Sequence, residues 1–344
     1  MTLYEAQNAV RANDGIPLHF GDLAREYQAA LHDVVLMDRS HEGRFEIGGR
    51  DRLALLHRIS TNDLLTLAEG EGRPTLFTNA NARILDRATV YHRGERALIL
   101  TEPGRGDALM RYLQRNIFFN DDAQVHDQAQ ATRQLVLHGV KADAVGWRFA
   151  PELAAMHGAN VTIAGAQVWI GRDKAISGGH WRLIVANDAA EKVWTALLDA
   201  GAEDGLIPAG SLTYNAVRIR AGRPGVGREL SAEYIPLEVG LWDEVSFTKG
   251  CYTGQEIIAR MESRGKLAKT IVTLRLNAWV EAPAKITLEG REIGMLTSSV
   301  QTPDGNMMGI GVIKVAAALV GAQVTVGETG TAEITALAGA QPPG

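Results

Sequence analysis

The chain has 344 residues, of which 46% are hydrophobic and 22% are charged, with a net charge of −5 and a pI near 6.0. This composition is typical of a globular protein of two or three domains that buries a substantial core. The basic residues are scattered, which argues against a general nucleic-acid binder. The single cysteine, Cys251, excludes an intramolecular disulfide and also a self-contained iron–sulfur cluster, which needs about four thiolates.

Two further features bear on location. No stretch approaches the roughly 20 apolar residues of a membrane span, and Met1–Ala6 lacks the basic-then-apolar pattern of a signal peptide. One cysteine also fits a reducing compartment. We therefore expect a cytoplasmic protein that contacts neither membranes nor nucleic acids.

Two successive stretches of the chain, called runs below, have the same order of predicted elements, namely strand, helix, hairpin and helix. In the first run, Phe45–Ile47 predicts a strand and a helix follows from about Asp51. Strands at 75–78, 84–92 and 97–101 and a helix at 105–114 complete it. The second run opens with a strand at Leu135–Leu137. Two such runs predict two intertwined α+β units of ferredoxin-like type, at about 45–130 and 131–265, with the N-terminal segment packed on them.

The pattern changes beyond Lys269, where short strands alternate with glycine-containing turns and no helix lies between them. The predicted strands are Ile271–Leu276, Lys285–Leu288, Glu292–Thr297, Met308–Ile313, Val324–Val326 and Thr331–Ala336. Regularly spaced short strands predict a small antiparallel β-barrel. The sequence therefore divides into an α+β region at 1–265 and a barrel domain at 266–344.

The segment Lys249–Glu256 carries the strongest chemical signal. Thr253 and Glu256 have the spacing of a capping box, so Cys251 would lie just ahead of a helix N-terminus. Unpaired amides at that position favour a thiolate, and Lys249 would add to the effect. The alternative interpretation is an inert buried cysteine, which is how most lone cysteines behave.

The run Lys249-Gly250-Cys251-Tyr252-Thr253-Gly254-Gln255-Glu256, continuing to Ala259-Arg260, resembles the signature of the YgfZ family, a branch of the glycine-cleavage T-protein superfamily. Other segments follow the superfamily pattern in order along nearly the whole chain. They are Leu36–Arg44, Thr61–Asp63, Arg218–Pro224 together with Gly227–Leu230, Pro236–Leu241 and Gly294–Ser299.

The resemblance implies a fold arranged around a central channel that holds tetrahydrofolate or a one-carbon derivative. The T-protein transfers a methylene group from an aminomethyl-lipoyl carrier to tetrahydrofolate. The YgfZ branch is thought to support iron–sulfur proteins through folate and the signature cysteine, so folate and iron–sulfur client or assembly proteins are the expected partners. The resemblance implies catalytic roles for Cys251, Lys249 and Asp86. It implies folate contacts for Asn81, Tyr91, Arg220, Glu238, Tyr252, Gln255 and Arg260.

The sequence departs from the T-protein in two places. The T-protein has an acidic pair near the reactive folate nitrogens, where this chain has Asp86 followed by Arg87. A cation there would oppose stabilisation of an iminium-like intermediate. The alternative interpretation of Asp86 is a solvated acid at a strand end. At the second place, Arg220 replaces a glutamate that accepts hydrogen bonds from the pterin, and arginine has no acceptor. Arg220 and its neighbours Arg218 and Arg223 would form a solvated helix face or bind the glutamate tail of folate.

Weaker motifs add little. Ser40-His41-Glu42 suggests a triad, but adjacent residues rarely point at one another, so His41 is expected to be structural or to contact ligand. The histidines show no metal-binding spacing, and we predict no metal site. Three functions remain, in this order: a folate-dependent factor for assembly or repair of iron–sulfur proteins, a folate-dependent aminomethyltransferase or demethylase, and a non-catalytic folate-binding regulator.

Overall fold

A computed structural model describes residues 8–265 and 267–340. Met1–Ala6, where we predict no signal peptide, lies outside the described residues. The helices are α1 (Leu23–His32), α2 (Arg52–Ile59), α3 (Gly106–Arg115), α4 (Ala142–Phe149), α5 (Ala190–Gly201), α6 (Ser211–Arg220) and α7 (Gln255–Arg264). None of the helices in this part of the chain is long and apolar enough to cross a membrane.

The strands before the barrel follow the two predicted runs. They are β1 (Val10–Arg11), β2 (Pro17–His19), β3 (Val35–Asp38), β4 (Glu42–Gly48), β5 (Gly72–Thr78), β6 (Ile84–Arg93), β7 (Arg96–Pro103), β8 (Gln124–Asp127), β9 (Thr132–Gly139), β10 (His157–Ile163), β11 (Ala166–Asp173), β12 (Gly179–Ala186) and β13 (Ile207–Pro208). They form a β1-β2 ribbon, a five-stranded sheet in the order β5-β6-β7-β4-β8, and a six-stranded sheet in the order β10-β11-β12-β9-β3-β13.

The remaining strands close into a barrel. They are β14 (Lys269–Leu276), β15 (Ala284–Leu288), β16 (Arg291–Gln301), β17 (Met307–Lys314), β18 (Gln323–Val326) and β19 (Gly330–Leu337). Their order is β14-β17-β16-β15-β18-β19, and β19 pairs back to β14 in antiparallel register. Apolar side chains from each strand fill the interior, because residues two apart on a strand share one face. The predicted α+β fold with a C-terminal antiparallel barrel is confirmed.

The described residues divide into two compact units. The first unit comprises the described residues of 1–55, 64–73 and 88–217, and the second those of 56–63, 74–87 and 218–344. The boundary at 265/266 stays a prediction. All but one of the residues that we predict to be functional lie in the second unit. The exception is Tyr91, which lies in the first unit.

The six-stranded sheet of the first unit has two unlike faces. One face packs Leu135, Leu137, Trp181 and Leu183 into an apolar core with helices α4 and α5. The residues between them on the strands point to the opposite face, where polar groups dominate although they are also buried. This opposite face is called the polar face below.

Candidate functional site

Cys251 lies on the segment that precedes α7, and its side chain is exposed. The structure therefore excludes the inert buried cysteine. The capping-box prediction is wrong as well, because α7 begins at Gln255 and its N-cap is Gly254, with φ of 88° and no side-chain cap. Only glycine fits there, since a Cβ would lie 2.8 Å from the backbone of Asn79 and of Ala82. Cys251 thus lies beyond the first turn, where the helix dipole acts only weakly.

The segment 246–254, called the cysteine loop below, is held on both sides of Cys251. Upstream, the amide of Ser246 donates to the carbonyl of Thr61 at 3.0 Å. Downstream, Thr78 Oγ1 donates to the carbonyl of Thr253 at 2.6 Å. These backbone contacts fix the path of the loop while the thiol stays open to solvent.

Lys249 extends away from solvent and is 7% exposed. Its Nζ donates to the carbonyl oxygens of Ser60 at 2.6 Å and Asn62 at 3.0 Å, and also to that of His57. Burial lowers the pKa of Lys249 to about 8, against the opposing effect of Asp63. The ammonium therefore binds the carbonyls at the end of α2, which differs from the expectation that it favours a thiolate at Cys251.

Asp86 is buried, which rules out the solvated strand-end acid. Its Oδ1 accepts a hydrogen bond from the amide of Arg87 at 3.0 Å. The guanidinium of Arg87 forms two bonds of 2.7 Å to the carboxylate of Glu244, and both side chains are buried. The positive charge that follows Asp86 is therefore already neutralised by a partner that the sequence did not indicate.

The expected folate contacts of the second unit differ widely in exposure. Asn81, Arg220 and Arg260 are exposed. Glu238 is buried, accepts from the amide of Ile235 at 3.2 Å and lies 3.6 Å from Arg83 Nη1. A ligand could reach the three exposed side chains directly from solvent, whereas Glu238 is buried and already has partners.

Two further expected contacts belong to the cysteine loop and to the start of α7. Tyr252 is buried, and burial raises its pKa to about 12. Gln255 Nε2 donates weakly to the carbonyl of Lys249 at 3.5 Å. Gln255 therefore supports the backbone on the upstream side of Cys251, whereas Tyr252 packs into an apolar cluster of the second unit.

The three arginines near the end of α6 do not share one solvated face. The side chain of Arg218 is only 12% exposed and lies 3.4 Å from Glu229, which is fully buried. Arg218 Nη1 also donates to Ser298 Oγ at 3.1 Å. The solvated-face interpretation is therefore wrong for Arg218, although it agrees with the exposure of Arg220.

Tyr91 belongs to a constellation in the first unit that the sequence reasoning missed. Its ring is fully buried and packs edge-on against Trp169, with ring centroids 4.8 Å apart. Burial raises the pKa of its phenol well above the ordinary value, so the hydroxyl stays protonated. Trp169 lies on the polar face of the six-stranded sheet, next to Ile184 and Gln134 in the strand register.

The polar face continues along the sheet. Strand register places Asp173, His180 and His138 side by side. Arg182 lies one row further along β12, with Nε 2.8 Å from Asp173 Oδ2. The sequence does indicate this face, because polar residues alternate with apolar ones along the buried strands. Which polar residues become neighbours can be predicted only when the pairing of the strands is known.

Several buried polar atoms near this face have no hydrogen-bond partner among the described residues. They are Tyr91 Oη, Gln134 Oε1, His41 Nδ1, Thr89 Oγ1 and Arg182 Nη1. Buried polar groups in native proteins are nearly always satisfied by protein, water or ligand. These atoms are therefore the groups near the polar face that water or a polar ligand would satisfy.

His41 does not complete a triad. Ser40 Oγ accepts from the amide of Gln134 at 3.0 Å, and Glu42 is bound to Arg39 at 2.7 Å. Burial, followed by the charge of Arg39, lowers the pKa of His41 to about 4, so the ring is neutral near pH 7. Within 8–265 and 267–340, His, Cys, Asp and Glu form no group of three or more that could hold a metal ion.

The fold defines the class of protein. The structure superposes on the glycine cleavage system aminomethyltransferase T from Bartonella henselae with a TM-score of 0.85, covering 97% of this chain and 95% of that one at 21% identity. The chain therefore has the fold of an aminomethyltransferase.

Sequence comparison identifies the family. Residues 7–249 match the GCVT N-terminal domain. The chain is 33% identical over 324 residues to a chloroplastic protein of Arabidopsis thaliana that is named as a transferase. The match covers 92% of this chain and 74% of the relative. It is 26% identical to an aminomethyltransferase of Geobacillus kaustophilus, covering 90% and 87%. The chain belongs to the GCVT family.

Proposed function

We propose that this protein is a YgfZ-like factor that binds tetrahydrofolate and supports the assembly or repair of iron–sulfur proteins through Cys251. The observation that carries the proposal is the exposed thiol on a loop anchored on both sides. A buried thiol could not reach a macromolecular client, whereas this one can. One thiol cannot hold a cluster by itself, so the client or an assembly protein supplies the other ligands.

Folate binding is supported by the family and by the buried polar atoms of the first unit. The relatives include proteins named aminomethyltransferase. Tyr91 places a protonated hydroxyl beside an aromatic ring, which suits a flat ligand with polar edges. Within the second unit, the family resemblance is our reason to propose Asn81, Arg220, Glu238, Tyr252, Gln255 and Arg260 as folate contacts, and Asp86 as an acidic group for the chemistry of Cys251.

The cysteine is tested by Cys251→Ala in a host that lacks the endogenous protein. We expect folate binding to persist while the activities of host iron–sulfur enzymes fall to the level of the deletion. Thr253→Ala is the matched control, because Thr253 is also exposed on the cysteine loop and contributes its carbonyl to the anchoring. Normal iron–sulfur enzyme activities with Cys251→Ala would refute the iron–sulfur role.

Folate binding is tested by titration calorimetry with tetrahydrofolate. Tyr91→Phe keeps the ring and removes the hydroxyl, so we expect binding about three- to tenfold weaker, as for the loss of one neutral hydrogen bond. Tyr112→Phe, at a partly buried tyrosine of α3, is the control and leaves the affinity unchanged. If the wild-type protein shows no heat of binding with tetrahydrofolate, this part of the proposal fails.

A second candidate is a folate-dependent aminomethyltransferase, which is favoured by the buried carboxylate of Asp86 and by the names of the relatives. This function predicts formation of methylenetetrahydrofolate from an aminomethylated lipoyl carrier. The reaction would depend on Asp86 and would be indifferent to Cys251→Ala. We rank it second, because Arg87 and Glu244 occupy the place of the second acid as a closed ion pair.

We also propose the cytoplasm as the compartment, since a single exposed thiol is best preserved under reducing conditions. The Arabidopsis relative is named as a chloroplastic protein.

A further inference from the structure

Lys249 is placed to act on Cys251 through the backbone. The two residues are separated only by Gly250, yet their side chains have opposite environments, because Lys249 is buried and Cys251 is exposed. The ammonium group ends among carbonyl oxygens of a different segment, that of residues 57–62. The side chain thus connects the cysteine loop to a part of the second unit that is far away in sequence.

The hydrogen-bond donors of the Lys249 ammonium group match the carbonyl acceptors near the end of α2. A helix leaves its last carbonyls without intrahelical donors, and α2 ends at Ile59. An ammonium group has three donors, and Nζ of Lys249 meets three carbonyl oxygens, those of His57, Ser60 and Asn62. A cation near the C-terminal end of a helix is also favoured by the helix dipole. Methionine at this position would leave the three carbonyls without that donor.

Neighbouring groups further enclose the ammonium group of Lys249. The ring of Tyr252 lies 5.1 Å from Nζ of Lys249 and covers it on the loop side. The amide of Lys249 donates to Ser246 Oγ at 3.2 Å, which fixes the backbone where the side chain departs. On the other side, Asp63 lies near enough to favour the charged form and is itself 3.2 Å from Nδ1 of His57.

We propose that Lys249 is a positioning residue, whose ammonium group ties the cysteine loop to the end of α2 and thereby fixes the place at which the Cys251 thiol is presented. It does not contact the reacting atoms. The inference rests on the proposed function only in taking Cys251 as the reactive group, and its tests need neither folate nor an iron–sulfur client.

The first test uses the unmodified protein. Acetylation with an excess of an amine-reactive ester, followed by peptide mass spectrometry, compares Lys249 with Lys285, an exposed lysine of β15. We expect Lys249 to be acetylated at least about tenfold more slowly, as for an amine held by several hydrogen bonds. Equal rates for the two lysines would overturn the proposal, whether or not any variant folds.

The second test compares Lys249→Met, Lys249→Arg and the control Lys285→Met by amide hydrogen exchange and by alkylation of Cys251 with iodoacetamide from pH 6.5 to 9. In Lys249→Met we expect residues 246–254 to exchange about tenfold faster and the alkylation rate to change about threefold or more, since net hydrogen bonds are lost. The guanidinium group of Lys249→Arg can donate to the same carbonyls and restores the wild-type alkylation profile.

The alkylation profile separates positioning from general stabilisation. If Lys249→Met speeds exchange throughout the second unit but leaves the alkylation of Cys251 at every pH as in the wild type, Lys249 is only structural and the proposal is wrong. The proposal is equally wrong if Lys249→Met leaves residues 246–254 as protected as in the wild type. Neither outcome would bear on whether Cys251 supports iron–sulfur proteins.

Discussion

The cysteine loop of the second unit and the polar face of the first unit differ in whether their polar side chains are exposed or buried. The loop keeps one thiol exposed and uses buried backbone contacts to hold it still. The polar face buries its charged and hydrogen-bonding groups, and several of their atoms have no hydrogen-bond partner in the part of the chain that the structure describes. The loop thus offers a reactive group to solvent, whereas the polar face keeps its polar groups in the interior of the first unit.

The two regions also differ in what a substitution should cost. On the polar face, groups depend on one another in a medium of low dielectric, so removal of one leaves its partner unsatisfied. In the loop, the exposed side chains contribute little, whereas the backbone contacts and the buried side chain of Lys249 contribute most. Four predictions test this contrast.

The largest effect is expected on the polar face. Arg182→Leu leaves the buried Asp173 without its ion pair and should lower the free energy of unfolding by about 3–5 kcal/mol. Lys141→Met, which breaks a largely exposed pair with Asp33 in the same unit, should cost about 1 kcal/mol or less. Urea denaturation of the two variants makes the comparison, and equal losses would show that the polar face is not a closed network.

The next effect depends on pH and concerns Lys249. Burial lowers its pKa to about 8 from an ordinary value of 10.5, so the unfolded chain holds the proton more tightly between these pH values. The unfolding free energy should therefore rise from pH 8 to 10.5, by at most about 3 kcal/mol, relative to Lys249→Met. Denaturation of both proteins at pH 7.5, 9 and 10 measures the difference. A wild-type protein that loses stability relative to the variant in this range would contradict the assigned burial.

A matched pair of glycine substitutions comes third. A Cβ at Gly171 would lie 2.4 Å from the ring of Trp169, so Gly171→Ala should cost about 1–3 kcal/mol by overpacking. Gly250, next to Cys251, has open space around its Cα, and Gly250→Ala should change stability by about 0.5 kcal/mol or less. Thermal unfolding measures the stability of the two variants. A larger loss of stability in Gly250→Ala than in Gly171→Ala would contradict the contrast between the two regions.

The smallest effect is expected at Thr253. A true capping box would lose about 1 kcal/mol on substitution by alanine. Because Gly254 is the N-cap and makes no side-chain cap, Thr253→Ala should be nearly neutral. A loss of 1 kcal/mol or more in urea denaturation would restore the capping box that the sequence predicts.

The contrast also explains what could be predicted from the sequence. Strands such as β6 and the strands of the barrel were predictable, because alternation and turn residues are local signals. The position of Cys251 ahead of a helix was predictable for the same reason, because it belongs to a contiguous motif. The position of the α7 N-cap was not, since Gly254 is selected by the backbone of Asn79 and Ala82, which lies far away in sequence.

Contacts between charged side chains and partners far away in sequence could not be predicted either. Nothing near Arg87 indicates Glu244 as its partner, and nothing near Lys249 indicates the carbonyls at the end of α2. The polar face depends on the register between β9, β11 and β12, which decides whether buried polar residues meet one another or are scattered.

The closure of the barrel has a consequence for the order of events during synthesis. Strand β14 pairs with β17 and with β19, and β19 is the last of the six to leave the ribosome. Until then β14 carries an unpaired edge, which is open to other chains. Contacts between segments so distant in sequence form slowly. The nascent chain should therefore depend most on chaperones in the interval between the emergence of β14 and the arrival of β19.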